Sequence, residues 1–96
     1  MTEVVFSKKS SKFLNKLNDK NLKQKLKDSI IKISKDYTIG EMKKGDLVGI
    51  YCYDVFYNKI NYEIAYRIVN DNKIFIFIIM IGTRENFYNE LKRYML

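Results

Sequence analysis

The chain has 96 residues, 47% of them hydrophobic and 15% aromatic, with 18 lysine and arginine residues against 11 aspartate and glutamate residues, no histidine and one cysteine. That length accommodates one domain, residues 1–96, and leaves no room for a second core. The lack of histidine removes the commonest zinc ligand and the usual general base. A single cysteine excludes an intramolecular disulfide, and Cys52, inside an apolar run, reads as a buried thiol.

A net charge of +7 on so small a surface points to a polyanionic partner, nucleic acid or an acidic protein. Ten of the basic residues fall within the first 35 positions, opposed there by Glu3, Asp19 and Asp28. The same run also reads as a solvated outer face. The opening MTEVVFSKKSSK lacks the basic-then-apolar order of a signal peptide, and the run Ile74–Ile81 is too short to span a bilayer. A cytoplasmic protein with no membrane association is expected.

In chain order, Thr2–Phe6 predicts a short strand, and Ser7 offers an N-cap to a helix over Lys8–Leu17 whose apolar face is Phe13, Leu14 and Leu17. Asn18 and Asp19 mark a break, and either can cap the next helix. There Leu22, Leu26, Ile30, Ile33 and Tyr37 form one stripe, with Lys20, Lys23, Lys27 and Lys35 mostly off it. The pair forms a basic helical hairpin. Residues Ile39–Asp46 read as a loop, and Leu47–Tyr57 (LVGIYCYDVFY) as a strand. After a turn at Asn58–Asn61, a second strand over Tyr62–Val69 puts Tyr62, Ile64, Tyr66 and Ile68 on one face and Glu63, Ala65 and Arg67 on the other. Asn70–Asn72 turn tightly into Lys73–Ile81, apolar on both faces and so placed inside the sheet. A helix over Glu85–Met95 closes the chain. The expected fold is α+β, in the order β-α-α-β-β-β-α, with a helical hairpin covering one face of a mostly antiparallel sheet and the other face left partly open.

A polar cluster follows Gly82. Glu63 and Arg67 share a strand face, about 13 Å apart at ~3.3 Å per residue. Arg84 leaves the last strand beside them, and Tyr88 is spaced four residues on, one helical turn. Arginine grips phosphate with a planar fork, tyrosine stacks on a base or donates a proton, and a carboxylate accepts one. RNA cleavage by 2′-hydroxyl attack needs those roles. The same residues also read as a capped helix start with ordinary aromatic packing.

The strand YEIAYRIV, the turn NDN, the apolar strand and the segment GTRENFYNELKRYM resemble the RelE/ParE superfamily of bacterial toxins from type II toxin–antitoxin systems. So do the KKGDLVGIY lead-in to the second strand and the order of elements along nearly the whole chain. The resemblance implies a small basic toxin neutralised by a cognate antitoxin that wraps over its groove. Many members cut messenger RNA in the ribosomal A site, whereas the ParE branch poisons DNA gyrase. It implies that Arg84 contacts the scissile phosphate and that Tyr88 stacks or acts at the cleaved nucleotide. Tyr66 matches a structural tyrosine. Asp54 and Phe56 stand where nuclease members often carry basic residues, Glu63 stands where RelE-like members carry a strand arginine, and Arg67 replaces that charge nearby.

The expectation is therefore a ribosome-dependent mRNA endonuclease. Arg84 stabilises the phosphorane, Arg67 binds phosphate, Tyr88 stacks or serves as acid, and Glu63 is the candidate base. Lys59, Lys92 and Arg93 steer the RNA. No metal or cofactor is expected, because the 2′-hydroxyl supplies the nucleophile. Two other readings stand beside it: a gyrase poison acting through the basic hairpin and last helix, and a basic adaptor for an acidic partner.

Overall fold

A computed structural model describes residues Met1–Met95. Strand β1 (Glu3–Phe6) leads into α1 (Lys8–Lys16) and α2 (Lys20–Lys35), then β2 (Glu41–Met42), β3 (Tyr51–Tyr57), β4 (Ile60–Asp71), β5 (Lys73–Thr83) and α3 (Phe87–Met95). The five strands lie in the order β1-β5-β4-β3-β2. β1 runs parallel to β5, and every other pair is antiparallel.

The first two helices each start from a local cause. Ser7 accepts the Ser10 N–H at the head of α1, and Asp19 accepts the N–H groups of Asn21 and Leu22 at the head of α2. The α2 stripe buries Leu22, Leu26, Ile30 and Ile33 against the sheet beside Leu14 of α1. Tyr37 does not continue it. The helix ends at Lys35, and Asp36 caps a single 3₁₀ turn over Tyr37–Ile39.

Further boundaries differ from the sequence reading; β4 runs from Ile60 to Asp71, and the last helix starts at Phe87 and not at Glu85. The loop expected at Ile39–Asp46 contains the edge strand β2, and a 3₁₀ turn at Gly45–Leu47 delays β3 to Tyr51. That delay follows from Gly45 and Gly49, both at positive φ. The β3–β4 turn is tighter than expected, because Asn58 and Lys59 both adopt positive φ and close a two-residue hairpin. Gly82 does not stop β5, which continues to Thr83.

The two faces of the sheet carry separate cores. One packs Val55, Tyr62, Ile64, Tyr66, Ile76, Ile78 and Ile81 under α1 and α2. The other packs Cys52, Ala65, Ile79 and Met80 under Phe87 and Leu91 of α3, so the face expected to be open is partly roofed. A bulge makes this possible. Ala65 pairs with Met80 but Tyr66 pairs with Ile78, so Ile79 is extra on β5. Ile79 and Met80 therefore both enter the α3-side core, and the alternation beyond them is inverted. Ser7 and Ser10 accompany this bulge: their hydroxyls donate to the carbonyls of Ile79 (2.7 Å) and Ile78 (3.0 Å).

Tyr66 fastens the region after α2. Its ring is fully buried and stacks on Tyr51 at 5.4 Å, while its hydroxyl donates to the Tyr37 carbonyl (2.6 Å) and accepts the Gly40 N–H (3.0 Å). A side chain at position 40 would collide with that hydroxyl, which explains the glycine. Tyr66→Phe leaves the carbonyl and the N–H unpaired and is expected to cost about 1–3 kcal/mol. A drop in urea midpoint with unchanged slope is the expected reading, and an unshifted midpoint contradicts it.

Candidate active site

On the α3 side, a pocket of about 290 Å3 opens where β2, β3 and β4 meet the turn between β5 and α3. Its lining includes Glu41, Lys43, Cys52, Asp54, Glu63, Arg84 and Tyr88. Register places them. Glu41 is opposite Cys52, Asp54 is opposite Glu63, and Glu63 is opposite Gly82. The bulge in β5 brings Gly82 onto the face of Glu63, and the missing side chain there leaves a site that Phe87 covers, 3.5 Å from where a Cβ would sit. Arg84 follows two positions later on the exposed rim. Its N–H is tied to the Asn61 carbonyl at 2.9 Å, and its carbonyl accepts the Phe87 N–H at 3.1 Å. Arg84 is therefore not on the helix with Tyr88. The two converge through a turn in which Asn86 adopts a positive φ.

Glu63 is the floor of the pocket, 1% exposed. Tyr88 donates its hydroxyl to Glu63 Oε1 at 2.5 Å, and Oε2 is buried without a hydrogen-bond partner. Burial raises the carboxyl above its usual range. The Tyr88 hydrogen bond pulls the other way, and the charge of Asp54 opposite adds to the rise. Tyr88 is pushed up to about 12 by burial and by donating to Glu63, so it is a phenol and not a phenolate at neutral pH. Cys52 is also pushed up to about 12, first by burial, which makes it an inert thiol. Lys43 adds a cation that the sequence reading missed. Its ammonium pairs with Glu41 at 2.6 Å and lies 4.8 Å from the centre of the Tyr88 ring. Burial alone would lower its pKa, but Glu41 and Tyr88 outweigh that and raise it. The only sequence signal for Lys43 was its place in the KKGD lead-in. Its approach to the pocket depends on the short β2–β3 pairing.

Arg84, Tyr88 and Glu63 are thus brought together. The other residues singled out in the sequence lie elsewhere. Arg67 shares the face of Glu63 but is exposed, pairs opposite Phe77 and holds its guanidinium 5.8 Å over that ring. Lys59 occupies the tip of the β3–β4 hairpin. Lys92 faces Asp46 at 3.9 Å, and Arg93 lines a separate groove with Lys9 and Tyr94. Among the described residues no three histidine, cysteine or carboxylate side chains are grouped as metal ligands, and no helix is long and apolar enough to cross a membrane.

Because the folded protein holds the Glu63 proton more tightly than the unfolded chain, this carboxyl contributes most at low pH. The contribution is lost as pH rises from its ordinary value of 4.5 through the raised folded value. Glu63→Gln is therefore expected to gain stability relative to wild type as pH climbs through that window. Urea melts of both proteins across pH check this, and a constant difference contradicts it.

No curated protein matches the chain in sequence. Among solved structures, E. coli toxin RelE in the free state, a double arginine-to-alanine mutant, superposes with a TM-score of 0.75 at 21% identity, over 99% of this chain and 98% of that one. A chain of the intact E. coli RelBE toxin–antitoxin complex superposes with a TM-score of 0.69 at 20% identity, over 85% of this chain and 95% of that one. These likenesses show the fold, five strands and three helices in the arrangement of RelE. The family model for the ParE-like toxin of type II bacterial toxin–antitoxin systems matches residues 4–92, nearly the whole length. The chain therefore belongs to the ParE-like toxins of type II bacterial toxin–antitoxin systems.

Proposed function

We propose that this toxin is an mRNA endonuclease that works on the translating ribosome in the cytoplasm and is neutralised by a cognate antitoxin. The observation that carries this reading is Glu63. A buried carboxyl with one oxygen unpartnered is costly to a fold, and groups perturbed in this way concentrate at sites of chemistry. A purely protein-binding surface has no use for one. Above Glu63, Arg84 stands free at the rim to meet a phosphate, Tyr88 contributes a protonated hydroxyl and a ring, and Lys43 supplies a second positive charge. In this reading Arg84 stabilises the phosphorane. Tyr88 and Glu63 serve proton transfer, and Arg67, Lys59, Lys92 and Arg93 steer the RNA backbone toward the pocket. The likeness to RelE in fold supports the same direction.

A second reading is a poison of DNA gyrase without nuclease activity. It is favoured by the ParE-like family assignment and by Asp54 and Glu63 standing where nuclease members carry basic residues. Its contacts would come from the hairpin lysines and α3. Tightly controlled expression, followed within minutes by mapping of RNA 5′ ends, separates the two. New ends inside translated codons are expected. Growth arrest without new ends, accompanied by a DNA-damage response, would overturn the endonuclease reading in favour of gyrase.

A further inference from the structure

Of the three carboxyl groups that line the pocket, two stand opposite each other across neighbouring strands, and their surroundings assign them different work. Asp54 and Glu63 are cross-strand partners on one sheet face, which puts their Cβ atoms about 4.5–5.5 Å apart. Both line the pocket with Arg84. Glu63 lies beneath the surface, with Oε1 engaged by Tyr88 and Oε2 shut away from solvent. It therefore cannot touch a 2′-hydroxyl. Asp54 is exposed on the same face and can. The remaining charged and titratable groups lining the pocket are Arg84 from the β5–α3 turn, Tyr88 from α3, Cys52 and Tyr53 from β3, and Glu41 and Lys43 from β2 and the residue after it.

We propose that Asp54 is the general base of RNA cleavage, and that Glu63 is a positioning residue that backs Tyr88, the general acid. This rests on the endonuclease reading and replaces Glu63, the base expected from sequence. In the reaction, the 2′-hydroxyl proton passes to the Asp54 carboxylate as the 2′-oxygen bonds to phosphorus. The bond from phosphorus to the 5′-oxygen breaks, and Tyr88 gives its proton to the departing 5′-oxygen. For this the Tyr88 hydroxyl turns its proton from Glu63 Oε1 to the 5′-oxygen, and the hydrogen bond between the two side chains reverses: Glu63, protonated on Oε1, then donates to the Tyr88 oxygen and makes it whole. The products are a 2′,3′-cyclic phosphate and a 5′-hydroxyl. Asp54 is left protonated and Glu63 ionised, and exchange with water restores the start. Arg84 offsets the charge on the phosphorane throughout. The arrangement follows a general rule, that neighbouring titratable groups with divergent environments divide acid from base.

The test uses purified toxin, ribosomes programmed with a short synthetic mRNA, and single-turnover rates across pH. Asp54→Asn is expected to slow cleavage by about 10²-fold or more and to abolish the limb on which rate falls with falling pH. Glu63→Gln keeps an oxygen for the Tyr88 hydroxyl but has no proton to relay, so it is expected to abolish the opposite limb. An mRNA with sulfur bridging phosphorus to the 5′ carbon has a leaving group that needs no acid. It should restore Glu63→Gln and Tyr88→Phe to near wild-type rates and leave Asp54→Asn slow. Asp54 is exposed and asparagine has its shape, so an unchanged melting temperature is expected and separates chemistry from folding. If wild type cuts but Asp54→Asn cuts within threefold of it, or if the sulfur substrate rescues all three variants alike, the assignment of Asp54 is wrong while the endonuclease reading stands. If wild type makes no cut, both fall.

Discussion

Arg84→Ala is expected to abolish growth arrest while leaving the fold intact. The guanidinium is exposed on the pocket rim and makes no ion pair among the described residues, whereas the bonds that fix the turn come from its backbone N–H and carbonyl. Alanine keeps those bonds, so stability should move by no more than about 0.5 kcal/mol, as for ordinary surface substitutions. The effect on chemistry is of another order. Removing one preorganised stabiliser of transition-state charge costs about 3–4 kcal/mol, a factor of 10²–10³ in rate. Arg84→Lys keeps the charge but loses the planar fork, so it should fall between the two. Rates of mRNA cutting on programmed ribosomes, read beside thermal melts, decide the matter. A fully toxic Arg84→Ala protein places the site elsewhere. Toxicity that ignores Arg84 and follows the lysines of α1 and α2 points to gyrase.

Much of this architecture was legible in the residue pattern, and what was hidden has a physical reason. The α2 stripe, the alternation along β4 and the caps at Ser7 and Asp19 are local signals, and local signals survive in one dimension. The inverted alternation of β5 was invisible, because IFIFIIMI is apolar at every position and gives periodicity nothing to show. That single bulge decides which face Gly82 and Arg84 belong to. Burial of Glu63 was equally hidden. A glutamate between Tyr62 and Ile64 reads as the polar side of a half-exposed strand, and only the arrival of Phe87 and Tyr88 over Gly82 closes it off. Lys43 and Asp54 enter the site through strand pairing across β2, β3 and β4, a non-local fact. Arg67 showed the reverse failure. It shares the face of Glu63, as the alternation required, but four residues of strand carry it away to Phe77.

Phe87→Ala should do more damage than any other single truncation in α3, and it should damage the site and the fold together. Phe87 and Leu91 are the two buried residues of that helix, and Phe87 is 1% exposed over Gly82 with its ring edge-on to Tyr88 at 5.6 Å. Truncating a buried phenylalanine costs about 3–5 kcal/mol, a large share of the roughly 5–15 kcal/mol that holds a small domain together. A nine-residue helix has little stability of its own and depends on that packing. The expected result is therefore a melting temperature lower by more than about 10 °C, with α3 detaching before the rest. Cys52 reports the detachment, since it lies in the core that α3 covers. Its reaction with a thiol reagent should accelerate at denaturant concentrations where the far core of α1 and α2 still protects its amides. Equal labelling of wild type and variant, or labelling that begins only with global unfolding, would show that α3 is no separate unit. With α3 loosened, Tyr88 leaves Glu63 and water reaches the carboxyl, which then releases its proton more readily. Cleavage should fall although Phe87 touches no substrate. The hydrophobic contact that roofs the second core is also what favours the protonated form of the carboxyl beneath the pocket.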